Sequence, residues 1–78
     1  MDKDVYLTKD LYEAAALYSA NQKFLGLERE GQFYWFAFEN KEVCQKISDD
    51  FWAKRVKVDA KSYAEAIRTL KDRIFART

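Results

Sequence analysis

At 78 residues the chain suits one small domain and excludes two, and folding at this length buries roughly 60% of the unfolded surface, so the core is modest. Apolar residues make up 49% and charged residues 35%, which excludes a disordered chain and points to a globular one. The net charge of +1 conceals an asymmetry: residues 1–40 hold four Lys/Arg against seven Asp/Glu, and residues 41–78 hold ten against six. Blocks of like charge are absent, so the mildly basic back half reads as a solvated face ahead of an anion-facing surface.

The start, Met1-Asp2-Lys3-Asp4, is charged and no long apolar run follows it, so neither a secretory signal nor a membrane span is expected, and cytoplasmic residence is the default. The single cysteine, Cys44, cannot form an internal disulfide, which fits a reducing compartment.

Val5 to Leu7 reads as a first strand. A helix is expected to begin at Thr8 as N-cap, with Asp10 in the positive first turn and Leu7 and Tyr12 at the positions of a hydrophobic staple, and to run to about Asn21. Leu11, Ala14, Ala15 and Tyr18 form its main apolar stripe, and Tyr12, Ala16, Leu17 and Ala20 extend apolar character around most of its circumference. Such a helix is enclosed, and its alanines let a neighbouring backbone approach closely.

Lys23 to Arg29 and Gln32 to Glu39 read as two strands joined by Glu30-Gly31, where glycine supplies the positive φ of a tight hairpin. With that turn, Arg29 faces Gln32, Leu27 faces Tyr34, Leu25 faces Phe36 and Lys23 faces Phe38 on the core side. Phe24, Gly26, Phe33, Trp35 and Ala37 then lie on the other side, where the Trp35 indole is expected to cover Gly26. The run Gln32-Phe33-Tyr34-Trp35-Phe36-Ala37-Phe38 is apolar on both faces, so both need cover.

Asn40 is expected to cap a second helix with Val43, Cys44, Ile47 and Phe51 along one stripe, which makes Cys44 an inert core residue. Arg55-Val56-Lys57-Val58 alternates like a short half-exposed strand. Asp59 then caps a last helix that buries Tyr63, Ala66, Ile67, Leu70 and Ile74, while Lys61 with Glu65 and Arg68 with Asp72 pair along its outer face. Phe75 lies off that stripe. Val5-Tyr6-Leu7-Thr8 with Tyr12 and Ala15 echoes Val56-Lys57-Val58-Asp59 with Tyr63 and Ala66, the shared local pattern of a strand entering a capped helix. The predicted fold is α+β: a small antiparallel sheet with a central β-hairpin packed against three helices, in the order β-α-β-β-α-β-α, a split βαβ arrangement with an added helix.

Thr8-Lys9-Asp10-Leu11-Tyr12 with Ala14-Ala15, then Phe36-Ala37-Phe38, Asp50-Phe51-Trp52, Val58-Asp59-Ala60 with Tyr63, and Leu70-Lys71 resemble a family of small prokaryotic and phage domains of unknown function. The resemblance spans most of the chain and implies no site residues. A second, weaker one exists: Trp35-Phe36-Ala37-Phe38 looks like the end of the aromatic strand of RNA-recognition-motif domains, and Val5-Tyr6-Leu7 like their first strand. It implies base stacking on Tyr6, Phe33 and Trp35. The chain departs from that pattern at Gly31, Gln32 and Tyr34.

Nothing points to catalysis. The chain has no histidine, Cys44 has no visible base, Asp49 and Asp50 point in different directions on a helix, and Glu39-Asn40-Lys41 with Glu28 or Glu30 is an unspecific arrangement of charges. No cofactor, metal or small-molecule substrate is expected. The expectation is a non-catalytic binding or assembly module whose aromatic sheet face, with Tyr6, Phe24, Phe33 and Trp35 as its candidate residues, is covered by a second subunit, a partner protein or the last helix. The alternative is a single-stranded nucleic-acid-binding module.

Overall fold

The structure, a computed structural model, describes residues 4–77. Met1, Asp2 and Lys3, the first residues of the charged start, lie outside the described residues. Three strands and three helices follow in the order β1 (Val5–Thr8), α1 (Leu11–Ser19), β2 (Phe24–Glu30), β3 (Phe33–Glu39), α2 (Lys41–Trp52) and α3 (Ala60–Arg77). The strands form one antiparallel sheet in the order β1-β3-β2. This is the expected small α+β fold, with the aromatic strand β3 in the middle where both of its edges are bonded.

All three helices lie on one side of the sheet. Ala14, Ala15 and Leu17 of α1, Cys44 of α2, and Ala66 and Leu70 of α3 form a single core cluster with Leu27, Phe36 and Phe38. The central position falls to α1, whose residues Glu13 to Leu17 are all buried. Three consecutive alanines explain how: with no side chain beyond Cβ, the helix approaches the sheet and both neighbouring helices on three sides. The molecule's shortest extent is 18 Å, the thickness of one sheet and one helix layer. The last helix therefore does not cover the outer sheet face.

Local chemistry sets the helix ends. The N-cap of α1 is Asp10 and not Thr8: the Asp10 carboxylate accepts from the Glu13 N–H at 2.9 Å, while Thr8 Oγ1 accepts from the Asp10 N–H at 3.1 Å one turn earlier. Leu7 and Tyr12 form no staple and are 40% and 55% exposed. At the other end α1 stops at Ser19, and Asn21 takes a left-handed conformation with its N–H bonded to Tyr18 O and that of Gln22 to Leu17 O, a Schellman ending. The same ending closes α2, with Lys54 at φ 62° in the left-handed position and the Arg55 N–H on Asp50 O. Asn40 caps α2 and Asp59 caps α3, as expected.

Four further expectations are corrected. Arg55 to Val58 form no strand, and Val56, Lys57 and Val58 take part in no backbone hydrogen bond among the described residues; alternation alone makes a strand only where a neighbouring strand supplies partners. Val43 turns outward, 39% exposed, and Ser48 is buried in the α2 face instead. The pairs Lys61 with Glu65 and Arg68 with Asp72 do not close, and among the described residues the ion pair is Arg55 with Asp50 at 3.3 Å. The hairpin turns one residue later than expected, at Gly31-Gln32, which slips the pairing by two so that Glu30 faces Phe33, Arg29 faces Tyr34, Glu28 faces Trp35 and Leu27 faces Phe36. A slip of two keeps Leu27, Arg29 and the β3 side chains on their expected faces.

Candidate binding face

The outer sheet face takes the residues that alternate away from the core. In β3 these are Phe33, Trp35 and Ala37, paired with Glu30, Glu28 and Gly26 of β2, and Ala37 is also paired with Leu7 of β1. Phe33 is 43% exposed, Leu7 40% and Leu25 46%. Between them Gly26 and the small Ala37 leave a hollow of ≈ 530 Å³ walled by Val5, Leu7 and Leu25. An apolar surface without a helix above it is the exception in a small soluble domain.

A charged and aromatic cluster sits at the hairpin end of this face. The Phe33 and Trp35 rings meet edge to face at 6.3 Å, and the Lys9 ammonium lies 4.4 Å from the centroid of Phe33 and 5.1 Å from that of Trp35. Lys9 continues the outward alternation of β1, which brings its charge over two ring faces, a favourable placement for a cation. The indole N–H of Trp35 donates to Glu30 Oε1 at 2.5 Å. The indole therefore leans toward the turn and does not cover Gly26, which stands opposite Ala37.

Two of the four expected face residues lie on the opposite side. Tyr6 pairs with Phe38 and so projects into the helix-covered face. Phe24 also pairs with Phe38, because a bulge at Leu25 shifts β2 by one residue, sending Leu25 out and Phe24 in. The Phe24 ring packs against Phe38 at 5.3 Å and Tyr18 at 6.0 Å, with the Arg73 guanidinium 5.1 Å from its centroid. Phe33 and Trp35 remain together on the outer face.

The side chain that holds Tyr6 inside is Glu13, a residue the sequence reading passed over. Glu13 is 5% exposed, and its carboxylate accepts from Tyr6 Oη at 2.5 Å and from Thr8 Oγ1 at 2.8 Å. Its signal in the sequence is position: Glu13, Ala16, Leu17 and Ala20 share one helical stripe, so an acid there is either a break in the stripe or a buried acceptor. Burial, and then the hydrogen bond to Glu13, push the Tyr6 hydroxyl up to about 12. Burial also pushes the Cys44 thiol up to about 11, helped by the negative charges of Asp4 and Glu13. Cys44 is fully buried and its Sγ donates to Glu39 O at 3.4 Å.

Among the described residues no group of three or more His, Cys, Asp or Glu is placed to hold a metal ion, and no helix is long and apolar enough to cross a membrane. No family model matches the chain, and neither a curated protein nor a solved structure is significantly similar to it.

Proposed function

We propose that the chain is a non-catalytic assembly module that pairs with a second copy of itself through the outer sheet face. The observation that carries this reading is the uncovered apolar surface of Leu7, Leu25 and Phe33, each at least 40% exposed, around the hollow over Gly26 and Ala37. The charges on the face suit a two-fold partner. Lys9 and the acids Glu28, Glu30 and Glu39 occur on the same surface, so an isologous contact sets the lysine of one copy against an acid of the other.

Size sets the strength. Three strands about 4.8 Å apart, at most seven residues long with a rise of about 3.3 Å each, offer a footprint of a few hundred Å². Stable interfaces bury roughly 800 Å² per partner. The dimer is therefore weak and is expected to dissociate on dilution.

The test is the absolute mass by light scattering after size exclusion across a tenfold concentration range, for the parent chain and for Trp35→Ala. A mass that rises toward twice that of the chain, and a variant that stays monomeric with its helical circular dichroism intact, support the reading. A parent chain that is strictly monomeric at the highest concentration overturns it. Base stacking on the sheet loses support: Tyr6 is on the inner face, and Glu28 and Glu30 sit beside the Phe33 and Trp35 rings.

A further inference from the structure

The connector between α2 and α3 carries the densest basic stretch of the chain next to its most exposed tryptophan. Residues 54–61 hold four cations, Lys54, Arg55, Lys57 and Lys61, against the single acid Asp59. Asp59 is occupied, since one carboxylate oxygen accepts from both the N–H and the hydroxyl of Ser62 at 2.9 and 3.0 Å. Arg55 is met by Asp50. Lys54, Lys57 and Lys61 have no ion-pair partner among the described residues, so the positive field over the connector is uncompensated.

Beside these charges is a groove of ≈ 330 Å³ lined by Phe51, Val56, Val58 and Tyr63, with Ala16 as its floor and Lys54 at its edge. That volume is at the small end of the roughly 300–1,000 Å³ of small-ligand sites and takes one flat ring. Trp52, 61% exposed, meets Phe51 edge to face at 5.0 Å and presents its indole next to the groove. An aromatic of this size usually finds cover, and among the described residues Trp52 is left mostly open. Lys54 adds a second anomaly. Its left-handed φ of 62° belongs to the position where glycine ordinarily ends a helix, so a less strained residue has been passed over for a lysine.

From the groove, the exposed indole and the unpaired cations we infer that the α2–α3 connector is a binding site for single-stranded nucleic acid. Trp52 stacks one base, the groove beside Phe51 and Tyr63 receives a neighbouring base, and Lys54, Lys57 and Lys61 meet the phosphates. Aromatic platforms set in a basic track are the physical recipe for sequence-tolerant binding of single strands, because every base has a π-face and every linkage a negative charge. The alternating Val56-Lys57-Val58 pattern serves this purpose directly: the valines wall the groove while Lys57 points to solvent. This site shares no residue with the outer sheet face, so the two readings stand or fall separately.

The probe is a fluorescein-labelled oligothymidylate of about ten nucleotides, within the span a small single-strand module covers. Titrated with Trp35→Phe, in which Trp52 is the remaining indole, it is expected to raise anisotropy and quench the protein's fluorescence together. Three or four neutralised phosphates give a slope of log affinity against log salt of roughly −2 to −3. Trp52→Ala is expected to weaken binding about 5- to 150-fold, and its exposure protects the fold from the change. Lys54→Gly separates binding from structure: it is expected to raise the unfolding midpoint, by relieving the left-handed lysine, while lowering affinity. No anisotropy change at low salt overturns the inference. So does binding that survives Trp52→Ala and is lost in Trp35→Phe, which would place the strand on the sheet, and so does equal affinity for phosphatidylserine vesicles independent of Trp52.

Discussion

Tyr6 Oη donates to Glu13 Oε2 at 2.5 Å and so ties the second residue of β1 to the first turn of α1 across the inner face of the sheet. Thr8 reaches the other oxygen of the same carboxylate from the same side of the strand. Among the described residues no buried side-chain nitrogen or oxygen lacks a partner, so this acid is held in an apolar layer with its acceptors used.

Removing one donor leaves Glu13 short of a bond. Tyr6→Phe and Thr8→Val are each expected to destabilise the fold by about 1–3 kcal/mol, measured as the shift of the urea midpoint at constant m-value. Because the two hydroxyls share one carboxylate, the double variant is expected to depart from additivity. Additive losses would show that the network does not act as a unit.

Alkaline pH loosens the same layer. The Tyr6 hydroxyl is held at about 12 against an ordinary 10, and the Cys44 thiol at about 11 against an ordinary 9. Both groups keep their protons more tightly when folded, so their contribution is complete below pH 9, begins to fail as pH rises past 9 for Cys44 and past 10 for Tyr6, and is gone above 12. Urea midpoints taken between pH 8 and pH 11 are expected to fall, and Tyr6→Phe is expected to flatten the upper part of that fall.

Cys44 is expected to be chemically silent in the native protein. With the thiol fully buried and its proton strongly held, reaction with a thiol-specific disulfide reagent at pH 8 should be limited by opening of the fold and become rapid in denaturant. Fast labelling of the folded chain would mean that α2 lifts from the sheet far more often than its packing implies.

The caps are separable by mutation. Asp10→Ala and Asp59→Ala each remove the acceptor for a first-turn N–H and each is expected to lower stability, by about 0.5–2 kcal/mol for Asp10. The Asp59 carboxyl is held below its ordinary range by the Ser62 N–H and then the Ser62 hydroxyl, so its share of stability is present above pH 4 and lost as pH falls further. Thermal melts at pH 7 and pH 3 on the parent chain and Asp59→Ala are expected to converge at the lower pH.

Local signals were enough for much of this fold. Asn40 and Asp59 announce their caps by residue type, Ala66 and Leu70 fall where a helical stripe puts them, and the glycine at 31 marks the hairpin even though the turn closes on Phe33. What escaped is non-local. In Val5-Tyr6-Leu7-Thr8 either pair could face the core, and hydrophobicity favours Val5 and Leu7. The structure buries the side with Tyr6 and Thr8 because Glu13, several residues away, takes their hydroxyls. Likewise Arg55 to Val58 has the alternation of a strand and no neighbour to bond, a matter of topology that local pattern does not carry. Half of the candidate face, Phe33 and Trp35, was legible; Tyr6 and Phe24 were misplaced by a distant acceptor and a single extra residue.

That extra residue, Leu25, works like a frameshift within β2. Past it, inward side chains occupy the odd positions Leu27 and Arg29; before it, the inward residue is Phe24. Gly26, at φ 133° with open space where a Cβ would stand, is the joint at which the frame changes, so its empty surroundings do not make it replaceable. Held in a regular ladder without the bulge, Leu25 itself would stand opposite Phe38 and the Phe24 ring would turn outward, away from Phe38 and Tyr18. One surplus residue thus decides whether a leucine or a benzene ring closes that end of the core.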